Sequence, residues 1–384
     1  MNAGSGTGFH WHMPVAVDAG PGSLDRLAPA LQGRRVVVLA FTPARALGLH
    51  DRLSPALGHQ LVLWQDCDDS LSSLARAREL AATVWPALTA PSPASSPAVR
   101  TGNGSPDTPV LLAIGGGTTL DLAKVLRCRP LSGDFNSLQA ALRGLQPWPA
   151  LQLADLWLVP TTAGTGSEVT RWATVWDTEA ATPCKRSLDE PFGYAQRAFV
   201  DPQLTLSCPP AVSRDSAVDA LAHALEALWN RHANPVSDNF ALPAARRILH
   251  SLPESLHDPA NAALRADISQ GALEAGLAFS QTRTALAHAL SYALTLDQGI
   301  PHGMACAIWL PSAWRLAAGR EARLDALLSS LFDCPAKDGA DRLAQWLSSV
   351  GIDARPEAHG ITDAQARIDQ ALGSARGRNF IAAW

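Results

Sequence analysis

The sequence lacks paired cysteines, a surplus of basic charge and a long apolar run, and each absence removes a class of function. Its six cysteines, Cys67, Cys128, Cys184, Cys208, Cys306 and Cys334, form no CxxC pair and no regular framework. A disulfide-stapled scaffold and a zinc ribbon are therefore excluded, and the thiols read as those of a reducing compartment. Lysine and arginine (31) fall short of aspartate and glutamate (35), so no global basic field draws nucleic acid or an anionic membrane, and only a local cationic pocket is left for an anionic ligand. No uninterrupted apolar stretch approaches the ~18 residues of a membrane span. Met1 to Pro14 lack a basic segment followed by an apolar core, and the expected location is the cytoplasm.

What is present is ample core-forming material, 47% hydrophobic residues in 384, enough for two domains at roughly 150 residues each. Arg34 to Phe41, Val110 to Ile114 and Leu156 to Pro160 are short apolar runs of the kind that become buried parallel strands. Each ends in a turn or small-residue loop, and Leu120 to Arg127 has helical composition. This alternation predicts a doubly wound, mostly parallel α/β sheet over residues 1–205. Within it, 89–109 is rich in Pro, Ser, Ala, Gly and Thr and reads as a solvated, flexible loop. From Ser213 onward, Ala/Leu-rich helical stretches replace β-branched runs, with breaks expected at Pro235, Pro243, Pro253, Pro259, Pro301 and Pro311. Residues 206–384 are therefore expected to form an all-helical domain.

Chemistry concentrates in two loops and one set of side chains. Gly115 to Asp121 lies at a strand-to-helix turn, where Gly116, Gly117 and Thr118 expose backbone N–H groups to a diphosphate; alone, such a turn is equally well a plain tight turn. A second loop, Thr161 to Glu168, sets Thr161, Thr162, Thr165 and Ser167 among glycines, a composition suited to sugar and phosphate oxygens. Two such loops at strand carboxyl ends point to a dinucleotide site. In the helical half, Asp219 and His223 stand four apart on one helical face, His288 lies in another helix, and His302 sits in a Pro-His-Gly bend. Any one of these histidines reads more readily as a packed residue, but three imidazoles with one carboxylate make a divalent transition-metal set.

In order and spacing, Gly115 to Lys124, Pro160 to Thr170, Phe199 to Leu206, Asp219 to Glu226 and Gly276 to Gly303 resemble the metal-dependent alcohol dehydrogenases of the iron-containing (group III) family. The resemblance implies a dehydroquinate synthase-like architecture, with an N-terminal nucleotide-binding domain, an all-helical C-terminal domain and a metal in the cleft between them. It assigns the metal to Asp219, His223, His288 and His302, with Fe2+ expected ahead of Zn2+ or Mn2+. It assigns the cofactor to Gly116, Gly117, Thr118, Asp121, Thr161, Thr162, Thr165 and Ser167, with Lys185 near the ribose or diphosphate. Thr170 to Asp177, Lys185 to Leu188 and Thr282 to Tyr292 are most similar to the phosphonoacetaldehyde reductase branch. Where many relatives carry a second histidine, this chain has Tyr292, so the phenol or a water takes the proton relay, or the ring packs in the site wall.

Phe41 to Arg45 offers no carboxylate for a ribose 2′-hydroxyl, Thr42 stands at that position, and Arg45 is placed to approach a 2′-phosphate; NADPH is expected ahead of NADH. The expected activity is reduction of phosphonoacetaldehyde, the metal acting as Lewis acid while the nicotinamide supplies hydride, with Arg283 binding the substrate anion. The alternatives are a general short-chain alcohol dehydrogenase, a reductase of another anionic aldehyde, and a non-catalytic metal- and nucleotide-binding sensor. The expected partner is a small aldehyde or alcohol, without nucleic acid or membrane, and a homodimer is the assembly considered.

Overall fold

The structure, a computed structural model, describes residues 8–68, 70–90 and 108–383. Most of the expected solvent loop, 91–107, lies outside the described residues. The strands are β1 (Ala16–Ala19), β2 (Val36–Phe41), β3 (Leu61–Cys67), β4 (Val110–Gly115), β5 (Cys128–Pro130), β6 (Leu151–Leu153), β7 (Leu156–Pro160), β8 (Trp172–Asp177), β9 (Cys184–Asp189) and β10 (Arg197–Val200). Among them run helices α1 (Leu27–Leu31), α2 (Leu49–Leu57), α3 (Leu74–Thr89), α4 (Gly117–Leu126) and α5 (Phe135–Leu142). The helices after them are α6 (Pro210–Leu228), α7 (Pro235–His257), α8 (Ala262–Thr282), α9 (Leu286–Gln298), α10 (His302–Ala307), α11 (Leu310–Ala317), α12 (Ala322–Phe332), α13 (Gly339–Ser349) and α14 (Ala364–Leu372).

Val15–Ser213 and His257–Gln270 pack as one compact unit; Arg214–Leu256 and the chain from Gly271 onward, with the residues up to Pro14, pack as another. The first is α/β. Its six-stranded sheet has the order β1-β10-β7-β4-β2-β3, and every neighbouring pair is parallel. Strands β4 and β7 are buried at every residue and β2 at every residue but Phe41, which is why these segments are continuously apolar instead of alternating. The chain leaves β2 for β3 at one edge, then crosses back to β4 and on to β7 and β10. Its direction reverses between β2 and β4, and ligands of open α/β sheets bind at the strand carboxyl ends beside such a reversal. After β2, Thr42–Ala44 forms a 3-10 turn with Pro43 in its first turn, and α2 starts only at Leu49, after Gly48.

The second unit is helical. All twelve residues of α6 from Ala217 to Leu228 are buried, the signature of a central helix without a solvent face. Trp229, Trp309, Trp314 and Phe380 are fully buried around it, with Trp229 edge-on to Trp314 at a centroid distance of 6.1 Å. Pro235 and Pro311 sit in first helical turns, as a residue without an N–H prefers. Pro243 and Pro253, by contrast, lie inside α7 and do not end it: each removes one ladder hydrogen bond, but the buried stripe of Ala241, Ala244, Ala245, Ile248 and Leu252 carries the helix through. Among the described residues no helix is long and apolar enough to cross a membrane.

Candidate metal centre and nucleotide cradle

Strand β4 runs straight into α4, whose N-cap is Gly116 and receives no side-chain cap. The first N–H groups of α4, around Gly117 and Thr118, therefore have no acceptor from the cap. The loop after β7 closes over this turn. Thr161 N donates to Gly115 O at 3.0 Å, and a Cβ on Gly117 would meet Thr165 Cγ2 at 2.7 Å, while one on Gly116 would stand 3.5 Å from Thr162. Both loops are braced from below by α4. Asp121 accepts from the Ser167 hydroxyl at 2.8 Å and from Thr174 N at 2.7 Å, and burial raises its pKa. Fully buried Lys124 donates to Thr170 O at 2.8 Å and Trp172 O at 2.7 Å, and burial pushes it down to about 8. Burial likewise pushes Glu168 up to about 6. Lys185 lies on β9 opposite Trp176 of β8.

At the end of β2, the Thr42 hydroxyl donates to Cys67 O at 3.1 Å. Arg45 is not a charge in waiting: its Nε donates to Asp66 at 2.8 and 3.0 Å, and its guanidinium lies 5.7 Å from the Trp64 ring centroid. The carboxylate missing from Phe41 to Arg45 thus arrives from β3, where Asp66 pairs with Ala40.

In the helical unit, Asp219 and His223 face inward one turn apart on α6, His288 lies in the first turn of α9, and His302 starts α10 after Pro301. Gly303 makes this crossing possible, since a Cβ there would stand 1.9 Å from Asp215 O and 2.9 Å from Asp219 Cβ. Asp219 Oδ1 is 3.5 Å from His288 Nε2, 3.9 Å from His302 Nε2 and 4.0 Å from His223 Nε2. His288 Nε2 and His223 Nε2 are 3.0 Å apart. Asp219 Oδ1 is buried without a hydrogen-bond donor, so three imidazole nitrogens stand within 4.0 Å of an oxygen that lacks a partner, which fits a metal ion. Burial lowers His223 to about 4, leaving it neutral and able to ligate. Burial would raise Asp219, but the imidazoles, His223 foremost, hold it below the usual carboxylate range.

Two residues outside the expected set belong to this centre. Cys306, one turn after His302, places its thiol in a group with Asp219, His288 and His302 whose donor atoms all lie within 4.8 Å of one another. Fully buried Glu226 accepts from His288 Nδ1 at 2.8 Å, from Ala285 N and Ala287 N at 2.6 Å each, and from His288 N at 3.3 Å. It caps α9 and fixes the His288 tautomer with Nε2 toward the other donors. Glu226 extends the Asp219, His223 series by three residues on the same helical face, a spacing visible in sequence.

Tyr292 follows His288 by one turn, with its ring parallel to that of His302 at 6.4 Å. Arg283 is not on the helix of His288: it has φ 69°, lies in the connection between α8 and α9 with its side chain exposed, and its charge bears on His232.

Comparison with known proteins agrees with this geometry. Residues 100–202 match the model of iron-containing alcohol dehydrogenases, and 213–379 match that of the Fe-containing alcohol dehydrogenase family, C-terminal. A long-chain-alcohol dehydrogenase of Geobacillus thermodenitrificans is 36% identical over 202 residues, 53% of this chain and 50% of the relative. A phosphonoacetaldehyde reductase of Streptomyces viridochromogenes is 30% identical over 260 residues, 63% of this chain and 65% of the relative. The chain thus spans about half to two thirds of the length of these curated relatives. The solved sulfoacetaldehyde reductase of Bifidobacterium kashiwanohense, in complex with NAD+, superposes with a TM-score of 0.83 at 22% identity over 98% of this chain and 95% of that one. With both halves matched in sequence and the fold matched along nearly its whole length, this chain belongs to the iron-containing alcohol dehydrogenase family.

Proposed function

We propose that this chain is a metal-dependent, NAD(P)H-linked aldehyde reductase whose substrate is phosphonoacetaldehyde, reduced to 2-hydroxyethylphosphonate. The observation that carries the reading is the convergence of Asp219, His223, His288 and His302 on the donor-less Asp219 oxygen. Bound together, a divalent ion supplies Lewis acidity at the carbonyl and the nicotinamide supplies hydride. The chain's own residues do the rest. Glu226 holds His288 in one tautomer, the N–H groups at the start of α4 with Thr118, Thr161, Thr162 and Thr165 take the diphosphate and ribose, and Asp121 and Ser167 hold the two loops in register. Lys185 lies toward the same end.

Fe2+ is the first choice of ion, with Zn2+ and Mn2+ next. NADPH is the proposed reductant because Thr42 brings no charge to the ribose and Arg45 is a cation for a 2′-phosphate; Asp66 opposes this, and the exposed Arg45–Asp66 pair has to open, at about 1 kcal/mol or less, to admit that phosphate. Two of the relatives, a phosphonoacetaldehyde reductase and a sulfoacetaldehyde reductase, support an anionic aldehyde. The test is NADPH oxidation by purified protein with phosphonoacetaldehyde, sulfoacetaldehyde and acetaldehyde, before and after chelation. Metal-dependent turnover fastest with phosphonoacetaldehyde is expected. Best turnover of acetaldehyde makes the chain a general alcohol dehydrogenase, and bound metal and nucleotide without turnover make it a sensor.

A further inference from the structure

A substrate anion needs a cation beside the metal donors. Arg171 is paired with Asp189 at 2.7 Å and Arg186 lies 3.6 Å from buried Asp177, while Arg283, the arginine expected from sequence to bind the anion, is exposed in the α8–α9 connection. A different arginine, Arg376, is linked to the centre through one aromatic ring, that of Tyr292. Arg376 precedes the short turn Gly377–Asn379. Its guanidinium carbon lies 5.4 Å from the Tyr292 ring centroid, and the same ring is parallel to that of His302 at 6.4 Å.

We propose that Arg376 is the substrate's anion receptor, so that this site takes aldehydes carrying a phosphonate, sulfonate or carboxylate; the proposal rests on the aldehyde-reductase reading above. Three observations support it. First, the side chain is held in place: Nη1 donates to the buried Thr284 hydroxyl at 2.7 Å, Asn379 Nδ2 donates to Thr284 O at 2.9 Å, and a Cβ on Gly377 would stand 1.9 Å from Ala371 O, so the turn is packed against its neighbours. Second, among the described residues no carboxylate lies within ion-pair distance of Arg376, although the side chain is only half-exposed. A part-desolvated guanidinium without a counter-charge retains an attractive field for anions. Third, one N–H is taken by Thr284 and one face by the Tyr292 ring, which leaves the remaining donors of the planar fork for the paired oxygens of an anion. Tyr292 on this account is a positioning residue, its ring adjoining both the guanidinium and His302.

The experiment compares wild type, Arg376→Ala and Arg376→Gln, the last retaining a donor for Thr284. Two quantities are read: the ratio of kcat/KM for phosphonoacetaldehyde to that for acetaldehyde, and calorimetric binding of methylphosphonate to metal-loaded protein. Loss of a charge-assisted fork should lower the ratio at least about tenfold in both variants, mainly through KM, and weaken methylphosphonate by a similar factor. A ratio and a methylphosphonate affinity within about twofold of wild type in either folded variant would overturn the proposal, since a merely structural arginine affects both aldehydes alike. Failure of wild type to reduce either aldehyde would defeat the reductase reading instead, and the methylphosphonate titration would still decide for or against Arg376.

Discussion

Glu226→Gln is the sharpest test of how the metal centre is held. The carboxylate accepts four N–H groups in a fully buried position, two on each oxygen. Glutamine keeps the volume but turns one oxygen into an amide NH2, which cannot accept. If the NH2 faces Ala287 and His288 N, the first turn of α9 loses its acceptor. If it faces Ala285 N and His288 Nδ1, the imidazole must move its proton to Nε2, the atom that faces Asp219 and His223. Each orphaned buried N–H costs about 1–3 kcal/mol; with partial relaxation the variant should lose about 2–4 kcal/mol of stability in urea. In the second arrangement the ligand atom carries a proton that must be displaced, so metal affinity should fall about 10–100-fold, about 1.4–2.7 kcal/mol. Competition of zinc between the protein and a chromophoric chelator measures the affinity, and circular dichroism establishes that the variant is folded. A folded Glu226→Gln protein that holds zinc within about twofold of wild type would refute the idea that this carboxylate sets the His288 tautomer.

His223→Ala should remove most bound metal and nearly all activity while leaving far-UV circular dichroism unchanged; full metal content by plasma emission would sink the assignment. Thr42→Asp should shift cofactor preference toward NADH by repelling a 2′-phosphate, and Asp66→Asn should shift it toward NADPH by freeing Arg45, both read as the ratio of kcat/KM for the two cofactors. Arg143→Ala should cost about 1–3 kcal/mol, because fully buried Asp177 loses two N–H groups that Arg143 donates at 2.8 Å, while Arg186, 3.6 Å away, still offsets part of its charge. Those hydrogen bonds hold the Asp177 carboxyl below its usual range. The wild-type advantage should therefore be complete above the unfolded carboxyl pKa near 4 and shrink as pH falls further, and urea titrations at several pH values check it.

Strands β2, β4 and β7 were legible because burial on both faces leaves an unbroken apolar run, and the glycine turn before α4 was legible because backbone approach admits few alternatives. Asp219 and His223 were visible as an i, i+4 pair. Glu226 was equally close at hand, yet a carboxylate that binds backbone N–H groups looks in sequence like any solvated glutamate on a helix. Asp66 could not be seen beside Arg45 without the β2–β3 register. The position of Arg283 was not legible because a left-handed arginine gives no warning that α8 ends at Thr282 and α9 begins afresh. Arg376 was invisible because its neighbours Thr284 and Tyr292 are some ninety residues away in the chain.

Asp121 and Lys124 stand three residues apart on α4, and between them they hold both the β7 loop and the start of β8. The proposed grip on a diphosphate thus hangs from one short piece of helix, whereas the groups proposed for the ribose, Thr42, Arg45 and Asp66, belong to the ends of β2 and β3 and, among the described residues, share no hydrogen bond with it. On the proposed assignment, cofactor preference and cofactor affinity are consequently separable traits. A drift or a design that exchanges one nicotinamide cofactor for the other can proceed by single substitutions at the sheet's end without loosening the floor under the phosphates, while a change at Asp121 or Lys124 would weaken both cofactors together and leave the preference between them where it was.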